Sequence, residues 1–480
     1  MIRVGSKYQH LIHNAGCGCL SPEVVQASRR LDALTRRGVL AGMGAALFGA
    51  SVPAQAQPAA PPSKLVFRQV RVFDGRSDSL RRGAQVLVEG GRITAIDATN
   101  NPPPTDARII DCGDRVLMPG LIDAHWHSLF AAVPAHVLVS GDPASIFTAS
   151  TAEAQRTLLR GFTTVRDLGG PVFTFKQAID GGIIPGPRIF PSGAMITTSG
   201  GHGDLRSLTE IPRDGGQLSL GERFGGAMMV DGLGEIKMRV REQLLQGASQ
   251  IKLVGSGGVS SPRSPLDMMT FSEADLRAAI DVVRDWNTYV TVHAYIPAAV
   301  RRAVAAGATC IEHAHLMDEE TAALLAEKGV WLSIQPFLTQ ADSVPLTGPS
   351  LERMTQILAA TPKAYELARK HGIKTAWGSD LLFSPELTPR QPVMLTHLSR
   401  WYSNAEVLRM ATSVNAELMA LSGPRNPYPG KLGVIEAGAL ADLLVLNENP
   451  LDNIGGLANP DKNLAVIMKD GRLFKNTLSA

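Results

Sequence analysis

The feature that most narrows the possible folds is an alternation running from about Pro119 to Ser422, in which short apolar runs are each followed by a stretch with helical punctuation. Eight runs have strand character, at residues 120–124, 163–166, 188–191, 250–254, 289–292, 309–312, 331–335 and 374–377. Strands separated by helices pair in parallel, because a connection that long brings the chain back in its original direction. Eight such units are the number that closes a (β/α)8 ring, so the expectation is an α/β protein built on a TIM barrel.

Local signals agree with that reading. Ser150-Thr151-Ala152-Glu153 and Ser272-Glu273-Ala274-Asp275 are capping boxes that would start helices. Thr361-Pro362 would start another, with Pro at the first helical position. Gly161, Gly307, Gly329 and Gly372 stand just past helical runs, where a left-handed residue ends a helix. Residues 197–234 are the longest irregular stretch and would overhang the barrel mouth as a lid.

The two ends have a different texture. Leu65-Val66-Phe67, residues 85–89 and residues 92–96, with Gly90-Gly91 between the last two, follow hairpin grammar. Residues 441–446 and 465–468, with a turn at 469–472, repeat it. The prediction is a small β-sandwich built from both termini, residues 64–118 and 429–480, around a barrel of residues 119–428. The 480 residues, 44% hydrophobic and 19% charged, suffice for both and argue against disorder.

Residues 1–56 read as a targeting segment. Arg36-Arg37 precede a weakly apolar Gly/Ala-rich run ending at Ala54-Gln55-Ala56, the order of a Tat-type signal peptide with a small-residue cleavage site. Cleavage after Ala56, a linker at 57–63 and a periplasmic location are expected. The run is too short and too rich in Gly for a stable membrane insertion. The chain carries a net charge of +3, but residues 1–56 hold six basic and two acidic side chains, so the remainder is near −1. No basic stripe remains, which excludes nucleic acid as the expected partner. Cys17 and Cys19 fall in the same segment, and Cys112 and Cys310 could pair once at most, so no disulfide framework is indicated.

In a barrel of this kind chemistry sits at the C-terminal ends of the strands. The first strand closes on His125-Trp126-His127, whose imidazoles share one side by the two-residue period. The fourth carries Lys252, the fifth ends at His293, the sixth at His313 and the eighth at Asp380. A lone strand-end His is ordinarily a hydrogen-bonded structural residue, and His-x-His alone is a weak signal. Four imidazoles and a carboxylate at the functional ends of four strands have no packing reason to be there. They suit zinc and similar divalent ions with one position left for water. Lys252 is the misfit, because an ammonium is repelled by such ions: either it lies away from them or it has lost its charge.

Gly120-Leu121-Ile122-Asp123-Ala124-His125-Trp126-His127, Ile251-Lys252-Leu253-Val254-Gly255-Ser256-Gly257-Gly258, Val292-His293-Ala294-Tyr295, Ile311-Glu312-His313 and Gly378-Ser379-Asp380 look like successive metal motifs. With the closing segment from Gly438 to Leu446, they give the chain after residue 63 a resemblance to the amidohydrolase superfamily. The likeness is to its imidazolonepropionase-like branch, which contains Xaa-Pro dipeptidases and ochratoxin-degrading amidohydrolases. The resemblance implies two divalent metal ions, zinc (Zn2+) being the expected pair, bridged by N-carboxylated Lys252. His125, His127 and Asp380 would hold one ion, and His293 and His313 the other. A hydroxide shared by the ions would attack the amide bond of a small N-acyl amino acid or dipeptide-type substrate bearing a carboxylate, ochratoxin-like amides included. Asp380 would take the hydroxide's proton and return it to the leaving amine.

Thr198-Ser199-Gly200-Gly201-His202-Gly203-Asp204 resembles a segment of that branch whose histidine, here His202, orients substrate; a solvated loop histidine is the equal alternative. Tyr295 would contact the substrate's carboxylate, against ordinary packing at the rim. Arg301, Arg302, His315 and His397 receive no role. A lactonase, esterase or phosphotriesterase-like activity on the same ligands stays open. Lys252 argues against a mononuclear cyclic-amide hydrolase or deaminase, and the intact ligand set argues against a non-catalytic binding protein. Relatives imply a homo-oligomer.

Overall fold

Near the start of the described chain, β1 (Lys64–Val72), β2 (Arg81–Glu89) and β3 (Arg92–Ala98) form an antiparallel meander. Gly90 and Gly91 turn β2 into β3 at φ 57° and 78°, the left-handed region that glycine enters without steric cost. This is a computed structural model that describes residues 64–98, 100–212 and 217–478; the expected export segment and linker lie outside the described residues.

β4 (Arg108–Pro119) runs parallel to β1, and Gly120 alone separates it from β5 (Leu121–Trp126). β5, β6 (Phe162–Asp167) and β7 (Arg188–Pro191) form a three-stranded parallel sheet. A second parallel sheet holds β8 (Met195–Thr197), β9 (Ala227–Met229), β10 (Ile251–Val254), β11 (Val290–Ala294), β12 (Cys310–His313), β13 (Trp331–Ile334) and β14 (Thr375–Trp377), in the order β14-β13-β12-β11-β10-β8-β9. Ser249 N donates to Pro191 O and Asp380 N to His125 O, each at 2.8 Å, so backbone hydrogen bonds join the two parallel sheets at β7/β10 and at β14/β5. β15 (Leu443–Leu446), β16 (Leu464–Lys469) and β17 (Arg472–Asn476) then return to β4 and complete a seven-stranded sheet, β17-β16-β15-β4-β1-β2-β3.

The architecture is therefore mixed α/β, and all eight runs read as strands are strands. Their apolar continuity has a physical cause: Ile251, Leu253, Val292, Ile311 and Leu332 are covered on one side by neighbouring strands and on the other by helices, as parallel sheets require. Helices 273–285, 297–306 and 319–327 supply that cover with Val282, Val283, Val300, Ala303 and Leu325. The terminal sheet has its own core of Phe67, Val86, Val88, Ile93, Leu117, Val445 and Met468. No helix among the described residues is long and apolar enough to cross a membrane.

Ser272 does cap its helix, with Asp275 completing the box, and Gly161, Gly307, Gly329 and Gly372 all have positive φ. Two other helix starts differ from expectation. The helix Pro143–Leu159 begins at Asp142, whose side chain accepts from Ala144 N, and Ser150 lies mid-helix with its hydroxyl on Ile146 O. An Asp cap followed by Pro is already a complete start signal, so the later Ser-x-x-Glu became part of a running helix. Pro362 likewise lies inside the helix Gly348–Lys370, which starts around Pro349. Residues 197–234 are less irregular than expected. They hold a 3-10 turn (Leu208–Glu210), the helix Leu220–Phe224 and β9, and the two helical pieces are opened by capping boxes at Ser207 and Ser219. The Ser-x-x-Glu spacing of both was readable in the sequence.

Candidate metal and active site

The structure brings all eight sequence-predicted residues to one cavity. His125, His127, His202, Lys252, His293, Tyr295, His313 and Asp380 line a hollow of ≈ 80 Å³ at the C-terminal ends of the parallel strands. The ligand atoms of His125, His313 and Asp380 lie within 4.8 Å of one another. Asp380 Oδ1 is 3.2 Å from both His125 Nε2 and His127 Nε2, and its Oδ2 is 4.0 Å from His313 Nδ1. The rings of His293 and His313 are 4.5 Å apart, and His202 stacks on His293 at 4.6 Å.

Acceptors behind the imidazoles fix which nitrogen carries a proton. His313 Nδ1 is 2.7 Å from Gln335 Oε1 and His293 Nε2 is 3.0 Å from Gly257 O, so each donates outward and keeps its other lone pair. His125 Nδ1 stands 2.8 Å from Glu312 Oε2, the carboxylate–histidine arrangement that orients a metal ligand and raises its basicity. Burial pushes His293 and His313 well below the usual histidine range, which keeps them neutral. Burial works the same way on His125, yet the carboxylates of Asp380 and Glu312 hold it above its ordinary value. Burial alone would raise Asp380, but His125 and His127 hold its carboxyl well below the carboxylate range. The centre thus draws in positive charge, and its imidazole and carboxylate donors fit a divalent ion. Burial also lowers Lys252, whose ammonium has no hydrogen-bond partner among the described residues.

Two of these residues occupy unusual backbone. His313 has φ 78° and Asp380 φ 53°, left-handed values that cost a non-glycine residue of order 1 kcal/mol or more and persist only where surroundings impose them. The bond from Asp380 N to His125 O imposes one, and Gly378 makes it possible: a Cβ there would lie 2.4 Å from His125 N.

Several supporting residues were not singled out in the sequence. Asp123, fully buried, accepts from His125 N (3.0 Å), Ser379 N (3.0 Å), Ser379 Oγ (2.6 Å) and Gln391 Nε2 (2.9 Å), tying the first and eighth strand ends together. Glu312 pairs with Arg166 Nη2 at 2.5 Å, and both are fully buried. Their signal was present as charged residues inside apolar strands, Val165-Arg166-Asp167 and Ile311-Glu312-His313. His315, to which the sequence assigns no role, is buried against Tyr295 and Phe337 and holds Gln335 O at 2.9 Å. His397 reaches Pro336 O at 3.2 Å and does not line the cavity. Arg301 pairs with Asp318 at 3.2 Å and Arg302 bonds Phe271 O at 2.7 Å, both holding the helix 297–306 in place.

Parallel β/α units carrying histidines, a lysine and an aspartate at their strand ends define a hydrolase class, and the amidohydrolase family model matches residues 116–474. The chain belongs to the amidohydrolase family. It is 30% identical over 408 residues to the ochratoxinase of Aspergillus niger, covering 82% of this chain and 83% of that protein. A solved prolidase complexed with N-methylphosphonate-L-proline is similar at 33% identity and TM-score 0.78, over 86% of this chain and 100% of that one. A Xaa-Pro dipeptidase with methionine in its active site follows at 26% identity and TM-score 0.74, over 86% and 100%. The chain is thus a hydrolase acting on amide bonds, in the dipeptidase-like branch of the superfamily.

Proposed function

We propose that the protein is a two-metal amidohydrolase that cleaves a small N-acyl amino acid or dipeptide-type substrate bearing a carboxylate. Residues 119–428 would be a (β/α)8 barrel carrying a β-sandwich made from residues 64–118 and 429–480. The Arg36-Arg37 segment would export the protein to the periplasm, with residues 1–56 removed.

The observation that carries this reading is the meeting of His125, His127, Lys252, His293, His313 and Asp380 in one cavity. His125, His127 and Asp380 would hold one ion and His293 and His313 the other, with N-carboxylated Lys252 between them. Divalent ions in such a site supply a hydroxide near neutral pH and polarise the scissile carbonyl. The buried lysine is suited to its part, because lowering its pKa favours the neutral amine that adds carbon dioxide. Asp380 takes a proton from the attacking water and delivers it to the leaving nitrogen, a transfer its two oxygens can serve in turn. His202, pushed down to about 4 by burial, stays neutral and hydrogen-bonds substrate without adding charge. Tyr295 holds the substrate's carboxylate end. The ochratoxinase, prolidase and Xaa-Pro dipeptidase relatives support an amide substrate of this size.

The test is metal analysis combined with turnover of Xaa-Pro dipeptides and N-acyl amino acids. Two equivalents of metal with amide cleavage are expected. Two equivalents with cleavage of lactones or esters alone would overturn the substrate assignment, and one equivalent after reconstitution in excess zinc and bicarbonate would overturn the two-metal arrangement.

A further inference from the structure

Beside the site cavity lies a second hollow, of ≈ 60 Å³, which shares Met195, Gly203, Leu205 and Phe383 with it. Its remaining wall is mostly apolar: Phe130, Leu138, Val139, Phe224, Ala227 and Met229. The polar groups at its edge already have partners just outside it. Arg206 pairs with Asp204 at 2.6 Å, Glu210 accepts from Ser207 N at 3.0 Å, and Ser219 Oγ donates to Glu222 at 2.9 Å. With most of its wall apolar and these edge groups already paired, the hollow favours apolar guests.

Its position relative to the histidines is informative. Phe130 stacks on His127 at 5.7 Å and on Phe383 at 6.1 Å, which puts the hollow on the His127 side. Tyr295 is not part of that wall and packs instead on the other pair of histidines, 4.7 Å from the His313 ring and 5.1 Å from that of His293. A substrate lying across the histidine cluster has one end at Tyr295 and the other at this apolar wall.

We propose that the hollow is the subsite for the acyl-side group of the substrate, and that it takes a branched aliphatic chain of about isobutyl size in preference to an aromatic ring. The assignment of ends rests on the amide reading above, with the carboxylate held at Tyr295. The size follows from volume. An interior apolar cavity of about 150 Å³ accommodates one benzene, and the space here is less than half of that. A ring therefore demands more displacement of the Met195, Leu205 and Phe383 side chains than a branched aliphatic chain does. Leu205, Phe224, Ala227 and Met229 all come from the stretch 197–234, so acyl-side selectivity is written largely in that segment.

The test compares kcat/KM for Ala-Pro, Leu-Pro and Phe-Pro. Leu-Pro should exceed Ala-Pro by roughly 10- to 200-fold and Phe-Pro by about 10-fold, the range over which apolar pockets discriminate small changes in size. Ala227→Leu fills the hollow and should erase the advantage of Leu-Pro, lowering its kcat/KM about 10-fold or more relative to Ala-Pro. Phe224→Ala enlarges it and should bring Phe-Pro above Leu-Pro. A preference for Phe-Pro in the unmodified enzyme, or an equal loss on all three substrates in Ala227→Leu, overturns the subsite. Calorimetric binding of the free acids 4-methylpentanoate and 3-phenylpropanoate reads the hollow without turnover. Tighter 4-methylpentanoate binding that Ala227→Leu abolishes supports the subsite even if no dipeptide is cut, in which case the amide reading fails alone. Equal or reversed affinities overturn the subsite even where dipeptides are cleaved.

Discussion

Replacing Glu312 by Gln should destabilise the protein far more than its conservative shape suggests. Glu312 and Arg166 are both 0% exposed. Glu312 Oε1 accepts from Arg166 Nη2 at 2.5 Å and from the Thr291 hydroxyl, while Oε2 lies 2.8 Å from His125 Nδ1. The other Arg166 donors reach neutral groups: Ala124 O at 2.5 Å, Ser333 Oγ at 3.1 Å and Tyr289 OH at 3.3 Å. Glu312→Gln therefore keeps the volume and leaves a complete guanidinium charge, buried, without an anion. Breaking one side of such a pair costs about 3–5 kcal/mol, whereas replacing both sides by apolar groups is close to neutral. The double variant Arg166→Met/Glu312→Leu should accordingly be more stable than the sum of its singles by about 2 kcal/mol or more. Urea unfolding followed by the fluorescence of the five tryptophans measures both quantities. The same substitution removes the anionic acceptor behind His125, so zinc affinity should fall by about 10- to 100-fold. A Glu312→Gln protein within about 0.5 kcal/mol of the parent, with additive singles, would refute the reasoning.

Other substitutions separate the remaining roles. Asp380→Asn should retain metal and lose about 10³-fold or more in kcat, as expected when a proton-transferring group is removed; metal analysis beside steady-state kinetics decides it, and unchanged kcat would contradict the role. Gln335→Leu removes the acceptor behind His313 Nδ1 and should weaken zinc binding by about 10-fold or more, measured by competition with a chelator. Lys469 is 7% exposed, donates to Gly186 O at 2.8 Å, and is pushed down to about 8 by burial. Between that value and 10.5 the unfolded chain keeps a proton that the folded chain has released. Stability should therefore rise with pH through this window, by at most about 3 kcal/mol, and be flat in this respect below it. Lys469→Met should abolish that rise, and parallel urea midpoints for the two proteins from pH 7 to 10 would exclude it.

What could be read in the sequence depended on how locally each feature is specified. Strands such as Ile251–Val254 announce themselves because burial on both faces demands an unbroken apolar run. His125, His293 and His313 stood out because polar residues at such strand ends have no packing role. Asp123 and Gln335 did not stand out, since their meaning lies in partners far along the chain: Asp123 in Ser379 and Gln391, Gln335 in His125 and His313. The expected helix starts at Ser150 and Pro362 fail for a different reason. A cap is a competition among nearby candidates, and Asp142-Pro143 and Gly348-Pro349 came first. The hollow beside the site was invisible, because Leu138, Phe224 and Met229 form it only once three separate elements meet.

The pairing of Leu117 with Val445 couples early and late synthesis. A ribosome adding roughly 5–20 residues per second needs tens of seconds to travel from one to the other. Throughout that interval β4 waits with a bare edge, open to whichever strand arrives first. Messages cut short before β15 would leave that edge unpaired, the condition under which strands of different molecules add to one another.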